Sequence, residues 1–230
     1  MDTEADSTER DRSSDPEAGR EERSRSARLR AAGLLGSAPR RLLAGCVAIV
    51  VVLLLVSHFV MQPFLIPSGS MEPTLRTGDR VLVNKLAYRF GTQPARGDVV
   101  VFDGSGYFGN SDYVKRVIGV GGDRIACCDE DGRIEVNGVP VDEPYVSEGD
   151  VPSTVPFDVE VPEGTLFLLG DHRSASSDSR DRLGSPGGGF LPVEQVIGQV
   201  EWVGWPARRW ADVDTGDVFD RVPERAAPHG

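Results

Sequence analysis

Residues 67–75 read Pro-Ser-Gly-Ser-Met-Glu-Pro-Thr-Leu and place two hydroxyls, Ser68 and Ser70, one residue apart between Pro67 and Met71. A serine hydroxyl becomes a nucleophile only when a neighbouring base takes its proton. Few bases follow residue 60: Lys85, Lys115, His172 and His229, the last at the extreme end of the chain. Lysine serves as a base once burial beside apolar groups depresses its pKa, which is the logic of a Ser–Lys dyad. Lys115 lies in DYVKRVIGV, between Val114 and Val117. Strand alternation turns it to the side of Tyr113 and Val117. A single strand lysine is ordinarily a solvated one, and a Pro-Ser-Gly-Ser stretch is ordinarily a turn. The residue types alone therefore admit a Ser–Lys hydrolase, a Ser–His hydrolase using His172, and a catalytically silent binding domain.

The elements that must position these groups begin with an apolar run. Leu42–Val60 contains 19 residues without Asp, Glu, Lys or Arg. As a helix it would span roughly 28 Å, close to the hydrocarbon thickness of a bilayer. Arg25, Arg28, Arg30, Arg40 and Arg41 precede it without an intervening acid. That asymmetry predicts a cytoplasmic N-terminus and an extracytoplasmic C-terminal part. The long polar leader and the flank SHFVMQPF, which lacks a small-x-small site, argue against a cleaved leader peptide. His58 at the end of the run reads as interfacial. Residues 1–24, rich in Ser, Arg, Glu and Asp, read as disordered.

The formal charge of −11 lies wholly beyond the apolar run, because nine acids and nine arginines cancel within residues 1–41. An acidic main domain lacks the basic footprint that nucleic acid requires. No Gly-rich phosphate loop, strand–helix alternation or metal-ligand spacing occurs, so no cofactor and no metal is expected. Cys46 sits in the apolar run, and Cys127 and Cys128 are adjacent. A vicinal bridge, two free thiols and an intermolecular bridge all remain open for that pair.

After residue 61 the chain reads as short apolar or alternating runs punctuated by Gly, Pro, Asp and Asn. Among them are DRVLVNKLAYRF, GDVVVFDG, DYVKRVIGV, GTLFLLGD and VIGQVEWVGW. CDEDGRIEVNG predicts a hairpin turning at Asp131-Gly132. The Pro- and acid-rich residues 140–163 and the Gly-rich residues 184–192 read as surface loops or a peripheral lobe. The fold class expected is mainly β: an antiparallel, partly closed sheet with a small inserted lobe at about 124–164, behind one N-terminal transmembrane helix. The domain division is 1–41 cytoplasmic, 42–60 anchor, 61–211 extracytoplasmic β-domain, and 212–230 polar tail.

Four ordered blocks behind the anchor resemble the bacterial type I signal peptidases, membrane-anchored Ser–Lys proteases. They are PSGSMEPTL, GDRVLVNKLAYR (78–89), DYVKRVIGVGGD (112–123) and GDHRSASSDSR (170–180). The resemblance implies a serine endopeptidase that removes signal peptides from exported preproteins after small-x-small sites. It implies Ser70 as nucleophile and Lys115 as general base, with Ser68 joining the Ser70 N–H in an oxyanion hole. It assigns Ser176 to orient the lysine, Asp178 and Arg180 to a supporting salt bridge, and Phe64, Ile66, Pro67 and Val114 to the substrate pockets. The partners it implies are signal peptides, the lipid bilayer and the secretion translocon. His172 stands where the family often has Asn, and DRLGSPGGGFLP after Arg180 is longer than the link such proteins carry. Self-cleaving repressor-type proteases share the dyad, but they are cytosolic and require a DNA-binding part. The silent-domain alternative, a membrane-anchored β-domain binding cell-surface partners, is opposed by the presence of Ser70, Lys115 and Ser176 together.

Overall fold

The computed structural model describes residues 39–57, 59–213 and 217–223. The leader up to residue 38, His58 and His229 lie outside the described residues. The chain divides into two units, residues 1–54 and 55–230.

Helix α1 (Pro39–Ser57), most of which lies in the first unit, is long and apolar enough to cross a membrane, and none of it is buried against protein. It takes in Arg40 and Arg41 and so begins three residues before the apolar run. Pro39 suits a first helical turn, where its missing N–H costs nothing.

The second unit is built on antiparallel ladders. The larger sheet contains β1 (Met61–Leu65), β2 (Arg80–Asn84), β3 (Val99–Asp103), β4 (Asp112–Val120), β9 (Thr165–Leu169), β10 (Leu191–Pro192), β11 (Val196–Trp205) and β12 (Ala211–Asp212). Its order is β1-β2-β11-β3-β4-β9-β10, with β12 added to β11. The smaller sheet, ordered β7-β6-β5-β8, comprises β5 (Arg124–Cys127), β6 (Ile134–Val136), β7 (Val139–Val141) and β8 (Phe157–Glu160). Its four strands fall between Arg124 and Glu160. The hairpin around Asp131-Gly132 is present, with Ile125 opposite Val136. Within residues 140–163, read from composition as surface loops or a peripheral lobe, Phe157–Glu160 forms a strand. Its partner is β5, through Phe157 opposite Cys127. Local Pro and acid content conceals a strand whose pairing partners are 30 to 36 residues away in the chain.

β4 shows why alternation matters here. Val114 packs in one cluster with Ile66, Met71 and Val81, whereas Tyr113 and Val117 pack in another with Val100 and Phe102. Lys115, opposite Val100 in the ladder, is 3% exposed. The stretch from residue 212 onward is less polar in structure than in composition. Phe219 and Val222 are buried in the lobe core with Phe157 and Ile118. The Val222 and Pro223 carbonyls accept hydrogen bonds from Arg96. Val213 joins the core cluster around Ile66. Cys127 and Cys128 are joined by a disulfide, and Cys46 is free.

Candidate active site

The nucleophile stretch follows β1 as a pair of tight turns. The Glu72 N–H donates to the Gly69 carbonyl at 3.0 Å, and the Leu75 N–H donates to the Met71 carbonyl at 2.8 Å. Met71 and Leu75 are fully buried, so two apolar side chains pin the loop and leave Ser70 partly open. Burying two such side chains contributes about 2 kcal/mol each. Lys115 reaches this loop from β4, and its Nζ donates to Ser70 Oγ at 2.8 Å. Two residues 45 apart in sequence are thus within direct proton-transfer distance.

Burial pushes the Lys115 pKa from 10.5 down to about 8. The Asp178 and Asp171 carboxylates pull it back up, and Arg180 pushes it down. A buried ammonium loses its hydration, and no carboxylate touches it to compensate fully, so the neutral amine is favoured. The arrangement sets the amine against a hydroxyl with a pKa low enough that the neutral form, a minor one at pH 7, predominates above pH 8, which is the chemistry of general-base activation of a nucleophile.

The third component is the loop after β9. Gly170 packs so close to the Ser70 carbonyl that an added Cβ would lie 2.5 Å from that oxygen and closer still to Ser176 Oγ. Asp178 accepts from the Gly170 N–H at 3.1 Å. It also takes two hydrogen bonds from Arg180, each at 2.8 Å. Asp178 is fully buried, so this pair fastens the loop from within. Ser176 Oγ is buried and has no hydrogen-bond partner among the described residues. The bond from Ser176 to Lys115 implied by the resemblance is therefore not made. The lysine donates to Ser70 instead, and the Ser176 side chain lies against Gly170.

Ser68 is exposed, and Pro67 is exposed beside it. Phe64 and Val114 are half-buried against the cluster that contains Ile66. Ile66 itself is only 2% exposed, which makes it core beneath any pocket and leaves Phe64, Pro67 and Val114 the accessible surface. Lys85, the other lysine after the apolar run, contributes its backbone N–H to the Val60 carbonyl at 2.9 Å.

Sequence reading passed over a buried ionic frame behind the dyad. Arg116, next to the lysine, is fully buried and grips Asp171 through Nε at 2.9 Å and Nη2 at 2.8 Å. Thr74 of the nucleophile loop donates to the same carboxylate at 2.6 Å. The Arg116 guanidinium lies 3.9 Å over the Tyr145 ring, and Tyr145 donates to Glu143 at 2.7 Å. Glu143 receives both Nη groups of Arg173, at 2.8 and 2.7 Å. The Arg173 Nε donates to the Gly170 carbonyl at 3.1 Å. The nucleophile loop, base strand, loop after β9 and inserted lobe are thereby joined. The available signal was a pair of charges, Arg116 and Asp171, embedded in otherwise apolar or turn-forming blocks. Among the described residues no group of His, Cys, Asp and Glu side chains is arranged to hold a metal ion.

The family model for signal peptidase, peptidase S26, matches residues 40–205. Signal peptidase I of Mycobacterium tuberculosis is 37% identical over 203 residues, covering 67% of this chain and 68% of that protein. Signal peptidase IB of Staphylococcus aureus is 36% identical over 172 residues, covering 68% of this chain and 84% of that protein. The crystal structure of a signal peptidase I from Enterococcus faecalis V583 is 29% identical, with 47% of this chain and 97% of that chain covered. The TM-score of that match is 0.38. A family match over most of the chain, with relatives above one-third identity, places this protein in the signal peptidase family, peptidase S26, with the activity of a serine endopeptidase.

Proposed function

We propose that Ser70 and Lys115 perform the signal peptidase reaction in this chain, and that they do so at the outer surface of a membrane. The observation that carries this reading is the 2.8 Å hydrogen bond between Lys115 Nζ and Ser70 Oγ, made by a lysine that is 3% exposed. A preprotein binds in extended form, adding a strand to the enzyme's sheet. Phe64, Pro67 and Val114 contact the residues before the scissile bond, over the buried Ile66. Neutral Lys115 takes the Ser70 proton as Oγ attacks the scissile carbonyl. The negative charge that develops on the carbonyl oxygen is met by the Ser70 N–H and the Ser68 hydroxyl, each worth about 3 kcal/mol in such sites. Lys115 then protonates the leaving amine. Water, deprotonated by Lys115, releases the acyl group from Ser70. Ser176 accepts from Lys115 Nζ when the amine turns away from Ser70, and the Asp178–Arg180 pair keeps its loop in place.

Helix α1 anchors the enzyme, with the arginines before it on the cytoplasmic side. The bilayer is a partner of the second unit as well. All three tryptophans, Trp202, Trp205 and Trp210, are 41–65% exposed, on or just after β11. Exposed tryptophan is the residue type that favours the membrane–water interface. Substrates arrive as membrane-threaded preproteins, so the secretion translocon is the neighbour from which they come.

Cleavage of a purified preprotein, reconstituted with the full chain, tests the assignment. Native enzyme cuts after a small-x-small site, and Ser70→Ala and Lys115→Met each lose at least about 10⁴ of that rate. Full activity in Lys115→Met would remove the lysine from the mechanism.

A further inference from the structure

His172 touches the nucleophile loop twice. Its backbone N–H donates to the Ser70 carbonyl at 3.1 Å, and its ring Nδ1 lies 3.2 Å from the Gly69 carbonyl oxygen. A carbonyl only accepts, so this contact requires the proton on Nδ1. The Gly69 carbonyl and the Ser70 N–H belong to one planar peptide unit. Whatever fixes the carbonyl also aims the N–H on the opposite side. The oxygen already accepts the turn bond from the Glu72 N–H at 3.0 Å, so the imidazole fills its second lone pair. Together the two donors hold the peptide against rotation in both senses.

We propose that His172 is a positioning residue for the oxyanion hole: its Nδ1–H locks the Gly69–Ser70 peptide so that the Ser70 N–H points at the developing oxyanion. The inference rests on the reading of Ser70 as nucleophile and of its N–H as an oxyanion donor. Hydrogen bonding to the carbonyl also polarises the peptide and strengthens its N–H as a donor. The contribution belongs to the transition state, because the ground-state carbonyl carries little charge. A loss of aim should therefore lower kcat and leave KM alone. Fold stability should hardly change, since the Glu72 turn bond and the buried Met71 and Leu75 keep the loop closed.

The experiment compares native enzyme, His172→Ala, His172→Phe and His172→Asn in steady-state cleavage of a preprotein, with thermal unfolding of each. Ser70→Ala is measured alongside. Asn carries an N–H donor the same number of bonds from Cβ as His Nδ1, whereas Phe keeps the ring volume without a donor. The expected result is a kcat lower by about ten- to a hundredfold in Ala and Phe, with KM within about twofold. His172→Asn should return to within about threefold of native kcat. If Ala does not fold, the contrast between Phe and Asn decides. The inference is overturned if Ala and Phe keep native kcat, if only KM moves, or if Asn falls as far as Phe. Those results, with Ser70→Ala inactive, would leave the nucleophile assignment standing. Activity in Ser70→Ala would overturn both.

Discussion

Cleavage should accelerate as pH rises through about 8, and the folded protein should become more stable over the range just above. Both effects come from one buried amine. Burial brings the Lys115 pKa from 10.5 to about 8, against the opposing pull of Asp178 and Asp171. Only the neutral amine accepts the Ser70 proton. Roughly a tenth of the enzyme is then competent at pH 7, half at pH 8 and nine-tenths at pH 9. With an ordinary lysine value only about three in ten thousand would be competent at pH 7, so burial is worth about 300-fold there. The stability effect has a definite sign. Below pH 8 the lysine is protonated in both folded and unfolded chains, and the cost of burying the charge is constant. Between pH 8 and 10.5 the unfolded chain holds more protons than the folded one, so stability rises with pH; above 10.5 the cost is gone. Its full size is about 3 kcal/mol at most, reduced by whatever the Ser70 hydrogen bond contributes. Lys115→Met removes the charge at similar volume. The variant should be inactive yet more stable than native enzyme at pH 7, by about 1–3 kcal/mol. That advantage should shrink towards pH 10. Initial rates from pH 6 to 10, with denaturant midpoints of both proteins at each pH, measure the two effects. A flat rate profile between pH 6 and 9, or a stability difference that does not change with pH, would refute the depressed base.

Other outcomes follow from the frame around the dyad. Gly170→Ala should fold yet lose more than about a hundredfold in kcat, because its Cβ would push on the Ser70 carbonyl and Ser176; native kcat would show that the loop yields freely. Arg116→Met strands the fully buried Asp171 carboxylate and should cost about 3–5 kcal/mol in chemical denaturation, whereas an exposed pair would cost under about 1. The exposed tryptophans are the only three in the chain, so fluorescence of the reconstituted enzyme excited selectively at the tryptophan red edge, away from the tyrosines, reports on them alone. Lipids brominated near the headgroup should quench it strongly; emission unaffected by brominated lipid would take that surface out of the membrane.

Much of the site is legible before any folding is considered, because its chemistry is written in short blocks. Ser70 in a Pro- and Gly-framed turn and Lys115 in an apolar strand are candidates on residue type and neighbours; the choice between them and the alternatives, and the roles of Asp178 and Arg180, come from the resemblance of those blocks to the signal peptidases. The antiparallel sheet is legible for the same reason, since runs such as DYVKRVIGV and VIGQVEWVGW carry β-branched residues between turn formers. The apolar run likewise announces its helix by length and composition.

What is settled over long chain separations was not legible. Phe157–Glu160 looks like loop because its ladder partner is β5, and Phe219 and Val222 look like tail because their cover belongs to the lobe. Arg116 looks like a solvated neighbour of the lysine until Asp171 and Tyr145 close around it. The hydroxyl of Ser176 turns towards Gly170 instead of the lysine, and His172 turns its ring onto the Gly69 carbonyl. Residue type by itself therefore determined which groups could react. Their distances, burial and hydrogen-bond partners were decided only by packing, because a lysine's pKa depends on the water that the surrounding fold excludes.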